Sequence, residues 1–392
     1  MTVDEAGLAE RARAFLAGHA PEVLSPAEFL GARFDAGLSW VHFPEGLGGL
    51  GLPREWQSVV DREFTGTPQQ DYGKLAIGLG MAAPTILAFG TDEQKKRFLR
   101  PLWTGEEIWC QLFSEPGAGS DLATLATRAV RDGDEWVVDG QKVWTSGAHH
   151  ARWAILVART DPDVPKHQGL TYFVCDMRAP GVDVRPLRQI TGEAEFNEVF
   201  LTGVRLPDTL RLGAVGEGWR VAQTTLMNER VAIGGSPVRR GGGMMGAVLE
   251  TWRARPEVRT HALHQRLLGL WVEAEVTRLA GARLREQLAA GAPGPEGSGM
   301  KLAFARLNQE LSGLDVEMRR EEGLAYDDWT FRRSESVDFF GRGPGYRYLR
   351  AKGNSIEGGT SEILRTIIAE RVLGLPAEPR ADKNVPWKDL PR

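Results

Sequence analysis

The stretch "EWVVDGQKVW", residues 135–144, is where the chain changes its period. Two short β-rich runs flank Asp139-Gly140, a dipeptide that signals a primed hairpin turn. "RWAILVAR" (152–159), "LTYFVCDM" (170–177) and "FNEVFLTGVRLP" (196–207) follow. Each is rich in β-branched or aromatic residues, and Gly, Pro or Asp separate them. Residues 109–211 therefore read as an all-β unit. Outward from it, both flanks read as helix. Upstream, residues 1–108 include "LAERARAFL" (8–16) and "GTDEQKKRFLRPLW" (90–103), with apolar residues three and four apart. Thr91 stands before Asp92 and Glu93 as an N-cap with acids in the first turn. Downstream, residues 212–376 return to the helical period. Leu268, Val272, Val276 and Leu279 form one stripe, and Leu307, Leu311, Leu314 and Met318 another. "AAGAPGPEGSG" (289–299) between them reads as a loop, and the Pro-rich residues 377–392 as an extended tail. The class is α+β, in the order helices, β unit, helical bundle, with a site expected at the seam.

Bulk properties narrow the function. The chain has 392 residues, 26% of them charged, and a net charge of −4 with Lys and Arg scattered. No strong field points toward nucleic acid or an anionic membrane. Cys110 and Cys175 are too few for a disulfide framework and read as reduced, buried thiols. The opening "MTVDEAGLAERARAFLAGH" has neither a basic n-region nor a long apolar core. No segment is expected to reach the roughly 20 apolar residues of a membrane span. A cytoplasmic location is the expectation.

Three stretches carry chemistry. "QLFSEPGAGSD" (111–121) strings together Pro-Gly-Ala-Gly, whose bare amides suit phosphates or the polar edge of a flat heterocycle. An ordinary Gly-rich loop would have the same composition, and neither a P-loop nor a dinucleotide fingerprint is present. "GQKVWTSGAHH" (140–150) places Trp144 two residues before Ser146, which suits a ring wall and a hydroxyl contact, or a core tryptophan. His149 and His150 are adjacent and have no Cys or acid at metal spacing, so no metal site is expected. "GNSIEGGTSEIL" (353–364) puts glycines and two carboxylates at the mouth of a helix.

Taken in order, "SEPGAGSD", "GQKVWTSG", "EGWRVAQTTLMNER" (217–230) and "GGTSEILRTIIAERVLGLP" (358–376) resemble the acyl-CoA dehydrogenase family over residues 20–375. The resemblance implies an N-terminal helical domain, a middle β-barrel or sandwich, and a C-terminal four-helix bundle. It also implies FAD, an acyl-CoA thioester substrate oxidised at its α,β bond, and electron-transfer flavoprotein as acceptor. Gln111, Leu112, Phe113, Ser114, Gly119 and Ser120 would then line the flavin and diphosphate, with Ser120 also beside the pantetheine arm. Trp144, Thr145 and Ser146 would flank the flavin, Ser146 near its N5, and Thr360, Ser361 and Glu362 would form a further contact. A Gly-rich anion nest, an aromatic wall and a helix N-terminus are what a dinucleotide with a flat ring requires.

The reaction needs a carboxylate in a dry pocket to take the α-proton. Many family members carry it directly before Gly-Thr-Ser, where this sequence has Gly358; Glu357 is one residue early. A minority place it in a Glu-Arg pair on an earlier helix, matched here by Glu229 and Arg230 in "LMNERVAIGG" (226–235). The resemblance thus points to Glu229 as base, with Arg230 and Met227 at the substrate and the Gly358 amide on the thioester carbonyl. Two family features are missing. "DFFGRGPGYRYLRAKGN" (338–354) replaces a Gln-x-x-Gly-Gly-x-Gly loop, and "RPEVRTHALHQRLLGLW" (255–271) lacks the usual Arg before Phe-Gly. "GPEGSGMKL" and "NSIEGGTSEI" resemble a bacterial branch acting on sterol, bile-acid or other bulky acyl-CoAs. A homodimer or homotetramer is expected, or an α2β2 pairing with a paralogue. A silent partner subunit and an acyl-CoA oxidase are the rival readings.

Overall fold

The computed structural model describes residues 4–234, 239–290, 295, 297–326, 328–334 and 342–391, with backbone only for 230–234 and 288–290. They form two compact units. One comprises Met1–Arg185, Phe196–Thr225 and Ala381–Arg392; the other comprises Pro186–Glu195 and Leu226–Arg380.

The first unit opens with six helices: α1 (Glu5–Gly18), α2 (Pro26–Asp35), α3 (Gln57–Glu63), α4 (Tyr72–Ile77), α5 (Ala83–Phe89) and α6 (Asp92–Thr104). Their ends follow from local chemistry. Ser25 with Glu28, and Thr91 with Gln94, form reciprocal capping boxes, and Gly105 ends α6 in the left-handed region at φ +79°. Leu8, Ala12 and Phe15 lie on one face of α1 and pack on Phe29, Val59, Val60 and Phe64. The run Tyr72–Phe89 corrects one expectation, for it is long and apolar enough by length and composition to cross a membrane. Here Leu75, Leu79, Ala82, Ala83 and Ile86 are buried within the unit, and Gly78 packs against Leu102.

Eight strands follow: β1 (Trp109–Leu112), β2 (Arg128–Asp132), β3 (Glu135–Ser146), β4 (Trp153–Arg159), β5 (Leu170–Asp176), β6 (Val182–Pro186), β7 (Phe196–Pro207) and β8 (Arg211–Leu212). The sheet runs β6-β7-β3-β2-β4-β5-β8, and β1 pairs parallel to β4. All seven residues of β4 are buried, which explains its unbroken apolar reading. The hairpin expected at Asp139-Gly140 is not there. β3 runs straight through both residues, and the reversal lies at Gly133-Asp134, between β2 and β3. Gly140 marks a register shift against β7, where a Cβ would sit 2.3 Å from Thr127 Oγ1. The dipeptide therefore reports a close backbone approach rather than a turn.

The end of the chain belongs to this unit. Residues 377–380 carry no helix, but Trp387 Nε1 donates to the Thr124 carbonyl at 3.0 Å, and its amide donates to Val164. Lys166 Nζ bridges Asp121 (2.7 Å) and Asp382 (2.5 Å). The segment expected as an extended tail is thus fastened to the β unit.

Helices α7 (Gly218–Gly234), α8 (Gly243–Ala254), α9 (His261–Ala290), α10 (Gly297–Arg319), α11 (Pro344–Ala351) and α12 (Ser361–Ile367) complete the chain. α7 contributes to both units; the others belong to the second. The loop expected over 289–299 is shorter in its described part, since α10 begins at Gly297. The second unit's core joins Met244, Met245 and Val248 of α8 to Leu267 and Leu270 of α9 and to Leu311, Leu314 and Met318 of α10. The two sequence stripes part company here. Leu311, Leu314 and Met318 are buried, whereas Leu268, Val272, Val276 and Leu279 are 44–60% exposed. Periodicity shows an apolar face but not what covers it.

Candidate functional site

In the first unit, the Gly-rich loop after β1 is folded by its own polar atoms. Glu115 and Ala118 exchange two backbone hydrogen bonds of 3.0 Å, and the Val143 amide donates to Ser114 O at 2.9 Å. The loop is braced from beneath by Lys142, whose side chain is fully buried. Its ammonium donates to Phe113 O (3.0 Å), Val157 O (3.0 Å) and Glu115 Oε1 (2.9 Å). The Glu115 carboxylate also accepts from the amides of Ala126 (2.6 Å) and Thr127 (2.8 Å). Burial pushes this carboxyl up, but the Lys142 charge and the hydrogen bonds outweigh burial, and it lies below the usual carboxylate range.

Leu112 and Phe113 are buried, and Phe113 meets Tyr172 edge-on at 5.8 Å, so their side chains belong to the core. Gln111 and Ser114 are half-buried; Gly119 and Ser120 are exposed. Among the described residues, the amides of Gly117, Gly119 and Ser120 have no hydrogen-bond partner. A Cβ at Gly117 or Gly119 would meet nothing within 4 Å, and neither glycine has a positive φ. The chain's own packing does not require glycine there. Glycine there leaves room for a molecule to lie against the backbone.

Trp144 has φ +60° and sits in the register shift between Lys142 and Thr145 of β3. Left-handed backbone is rare for a bulky residue and costs about 1–3 kcal/mol. The bulge turns the indole out, 58% exposed, with its edge on Phe196 at 5.8 Å. Thr145 is buried, and its Oγ1 has no partner among the described residues. Ser146 is half-buried.

In the second unit, Glu229 is half-buried on α7 and Met227 is exposed; the Arg230 side chain lies outside the described residues, as do residues 338–341 of the altered loop. Glu357 is committed elsewhere. Its carboxylate accepts from Arg350 at 2.8 and 3.2 Å and from Asn354 Nδ2 at 2.6 Å. Gly358 and Gly359 follow at φ +61° and +93°. Thr360 caps α12 by accepting from the Ile363 amide at 3.2 Å. Ser361 is half-buried; Glu362 is exposed and lies 3.6 Å from Arg365.

Residues 4–106, 110–204 and 216–373 match the N-terminal, middle and C-terminal domains of acyl-CoA dehydrogenase. The chain is 38% identical to acyl-CoA dehydrogenase IpdE1 of Mycobacterium tuberculosis, over 88% of this chain and 86% of that protein. The chain belongs to the acyl-CoA dehydrogenase family. It is also 43% identical to acyl-CoA dehydrogenase FadE34 of the same organism over 87% of its own length, but spans only 45% of that protein. Among solved structures, the Tcur3481-Tcur3483 steroid ACAD superposes with a TM-score of 0.72 at 25% identity, covering 95% of this chain and 98% of that one.

Family membership makes the chain an FAD-dependent oxidoreductase, and the first unit fits a flavin nucleotide. Among the described residues the amides of Gly117, Gly119 and Ser120 and the buried Thr145 hydroxyl lack partners, a Cβ at either glycine would meet nothing within 4 Å, and the Trp144 indole is held outward by a strained backbone. Four residues escaped the sequence reading: Lys142, Glu115 and, in the second unit, Lys301 and Arg350. All four lie inside quoted stretches, whose Gly, Ser and Trp residues carry the more familiar signals. A lysine in the middle of a strand otherwise rich in β-formers was the available signal.

Proposed function

We propose that this chain dehydrogenates a bulky acyl-CoA thioester between Cα and Cβ, with Glu229 as the base. The observation that carries the choice is the state of Glu357. Two buried-side donors, Arg350 and Asn354, occupy its carboxylate, so it serves as a counterion. Glu229, half-buried on α7, is the carboxylate of the Glu-Arg pair that the resemblance matches to a base. It takes the α-proton. The Gly358 amide donates to the thioester oxygen, which gains charge as that proton leaves. Bound FAD supplies the acceptor for the β-hydrogen and its electron pair. Gly117, Gly119 and Ser120 would hold the nucleotide through their amides, Trp144 would wall the ring, and Thr145 and Ser146 would offer hydroxyls.

The functional division we propose is helical residues 1–108, β residues 109–211 and helical residues 212–376. Substrate bulk is supported by likeness to a steroid ACAD and by the "GPEGSGMKL" and "NSIEGGTSEI" motifs. Electron-transfer flavoprotein is the proposed acceptor. A second helical surface, of another copy or a paralogue, is the proposed cover for the exposed stripe on α9.

The test is Glu229→Gln in flavin-loaded protein, with acyl-CoA substrates in D2O. We expect both α-proton exchange and flavin bleaching to fall by about 10²–10⁴-fold, the usual contribution of a general base. Retention of wild-type exchange would sink the assignment.

A further inference from the structure

The Glu357–Gly359 turn contains two successive glycines in the left-handed region. Such a turn has no side chains of its own at those positions to fix it. The structure fixes it from outside, with two buried cations. Lys301 of α10 is 1% exposed, and its ammonium donates to Asn354 O and to Gly359 O, each at 2.7 Å. Arg350 of α11 is 6% exposed and forks onto both oxygens of Glu357. Asn354 joins the two, since its Nδ2 donates to Glu357 and its Oδ1 accepts from Asn308 at 3.3 Å. The Gly358 peptide is therefore held at the carboxylate before it and at the carbonyl after it.

Removing a lysine from water is costly unless its charge is used. Burial draws the Lys301 ammonium below its usual range, and the charges of Glu357 and Glu229 oppose that. An apolar residue would fill the same space without this cost. What only a cation supplies is a fixed grip on two carbonyls and a positive charge felt by both carboxylates.

We propose that Lys301 and Arg350 are positioning residues that hold the Glu357–Gly359 turn in the shape from which the Gly358 amide serves the thioester. This rests on the role given to Gly358 above. Donors aimed at a developing oxyanion work by preorganisation, and a displacement of roughly 1 Å can cost on the order of 10²-fold in rate.

The experiment uses the flavin-loaded protein and a CoA thioester conjugated to an aromatic chromophore, whose absorption moves to longer wavelength when its carbonyl is polarised. Wild type should show the shift. Lys301→Met and Arg350→Met should lose most of it and about 10²-fold in kcat, with flavin content and KM little changed. Lys301→Gln and Arg350→Lys, which keep one donor in place, should recover part of both readouts, and they decide the matter should the methionine variants fail to fold. Glu229→Gln should keep the shift and lose turnover. Folded, flavin-loaded Lys301 and Arg350 variants with wild-type shift and kcat would overturn the positioning role. Absence of the shift in wild type would overturn the reading of Gly358 itself, and the positioning role with it.

Discussion

Lys142 Nζ and Glu115 Oε1 lie 2.9 Å apart with side-chain exposures of 0% and 8%, an ion pair sealed beneath the Gly-rich loop. Breaking a buried pair by removing one partner strands the other charge and costs about 3–5 kcal/mol. Lys142→Met should therefore lower stability by about that amount and release flavin, since the loop above loses its brace. Glu115→Leu combined with Lys142→Met should recover part of the stability, because no charge is then stranded. The pH dependence has a definite sign. The Glu115 carboxyl is depressed in the folded state from an ordinary value of 4.5. Its contribution is present above that value and is lost as pH falls through the folded pKa. Urea midpoints measured from pH 7 down to acid should show a shallower acid-side loss in the double variant than in wild type.

Trp144 gives a prediction in which stability and binding move in opposite directions. Its φ of +60° suits glycine and strains tryptophan. Its indole is 58% exposed, so little burial is lost on truncation. Trp144→Gly should match or exceed the wild-type melting temperature, the roughly 1–3 kcal/mol of strain relieved offsetting the ~0.5–1 kcal/mol of backbone freedom that glycine adds, while its flavin dissociates faster. A core tryptophan would behave the other way, losing several kcal/mol and leaving flavin affinity to fall only as the fold does.

How much of this was legible without coordinates differs by kind of feature. The helix–strand–helix order and the Thr91 cap were legible, because period and capping are written in nearest neighbours. The misplaced hairpin shows the limit. Asp139-Gly140 has turn composition, yet Gly140 is glycine because Thr127, on a neighbouring segment, leaves no room for a Cβ. The α9 stripe shows the same limit for helices, since 3.6-residue spacing fixes a face and says nothing of its partner. Lys142, Lys301 and Arg350 were missed for a third reason. Their roles depend on carbonyls and carboxylates brought near by tertiary packing, and a lysine in a sequence looks like surface until its contacts are known.

Glu357 and Glu229 should separate cleanly under the same substitution. Glu357→Gln leaves Arg350 without its carboxylate, which should destabilise the protein by about 1–3 kcal/mol. Because the glutamine oxygen can still accept from Arg350, and Lys301 still donates to the Asn354 and Gly359 carbonyls, the turn keeps its shape and α-proton exchange should persist. Thermal denaturation and D2O exchange on the two variants should therefore give opposite patterns. Complete loss of exchange in Glu357→Gln would reassign the base.

The stripe Leu268, Val272, Val276 and Leu279 exposes four large apolar side chains along one helix. A charge placed at its middle is tolerated in water and costly in an interface. Val272→Glu should leave the melting of the isolated chain within about 0.5 kcal/mol, as for other exposed positions. It should reduce the mass of the assembly, read by light scattering across a concentration series. An unchanged mass would mean that this face is not where the chains meet.

The chain end supplies the last test. Arg159 is 3% exposed and donates to the carbonyls of Ala123 (2.6 Å) and Leu125 (3.1 Å), just past the Gly-rich loop. Trp387 lies over that guanidinium at 4.4 Å and donates to Thr124 between them, while Asp382 shares Lys166 with Asp121. Two anchors from residues 381–391 thus converge on the segment 121–125. Burial draws the Arg159 guanidinium down to about 10, so it remains charged at neutral pH and benefits from the aromatic face. Trp387→Ala should cost about 1–2 kcal/mol, and a stop after Arg380 should cost more, because both anchors go. The functional readout is separate: if segment 121–125 must be held for Ser120 to meet the pantetheine arm, the truncated chain should show a raised KM for acyl-CoA with kcat nearly kept. A truncation that lowers kcat alone would place the effect elsewhere.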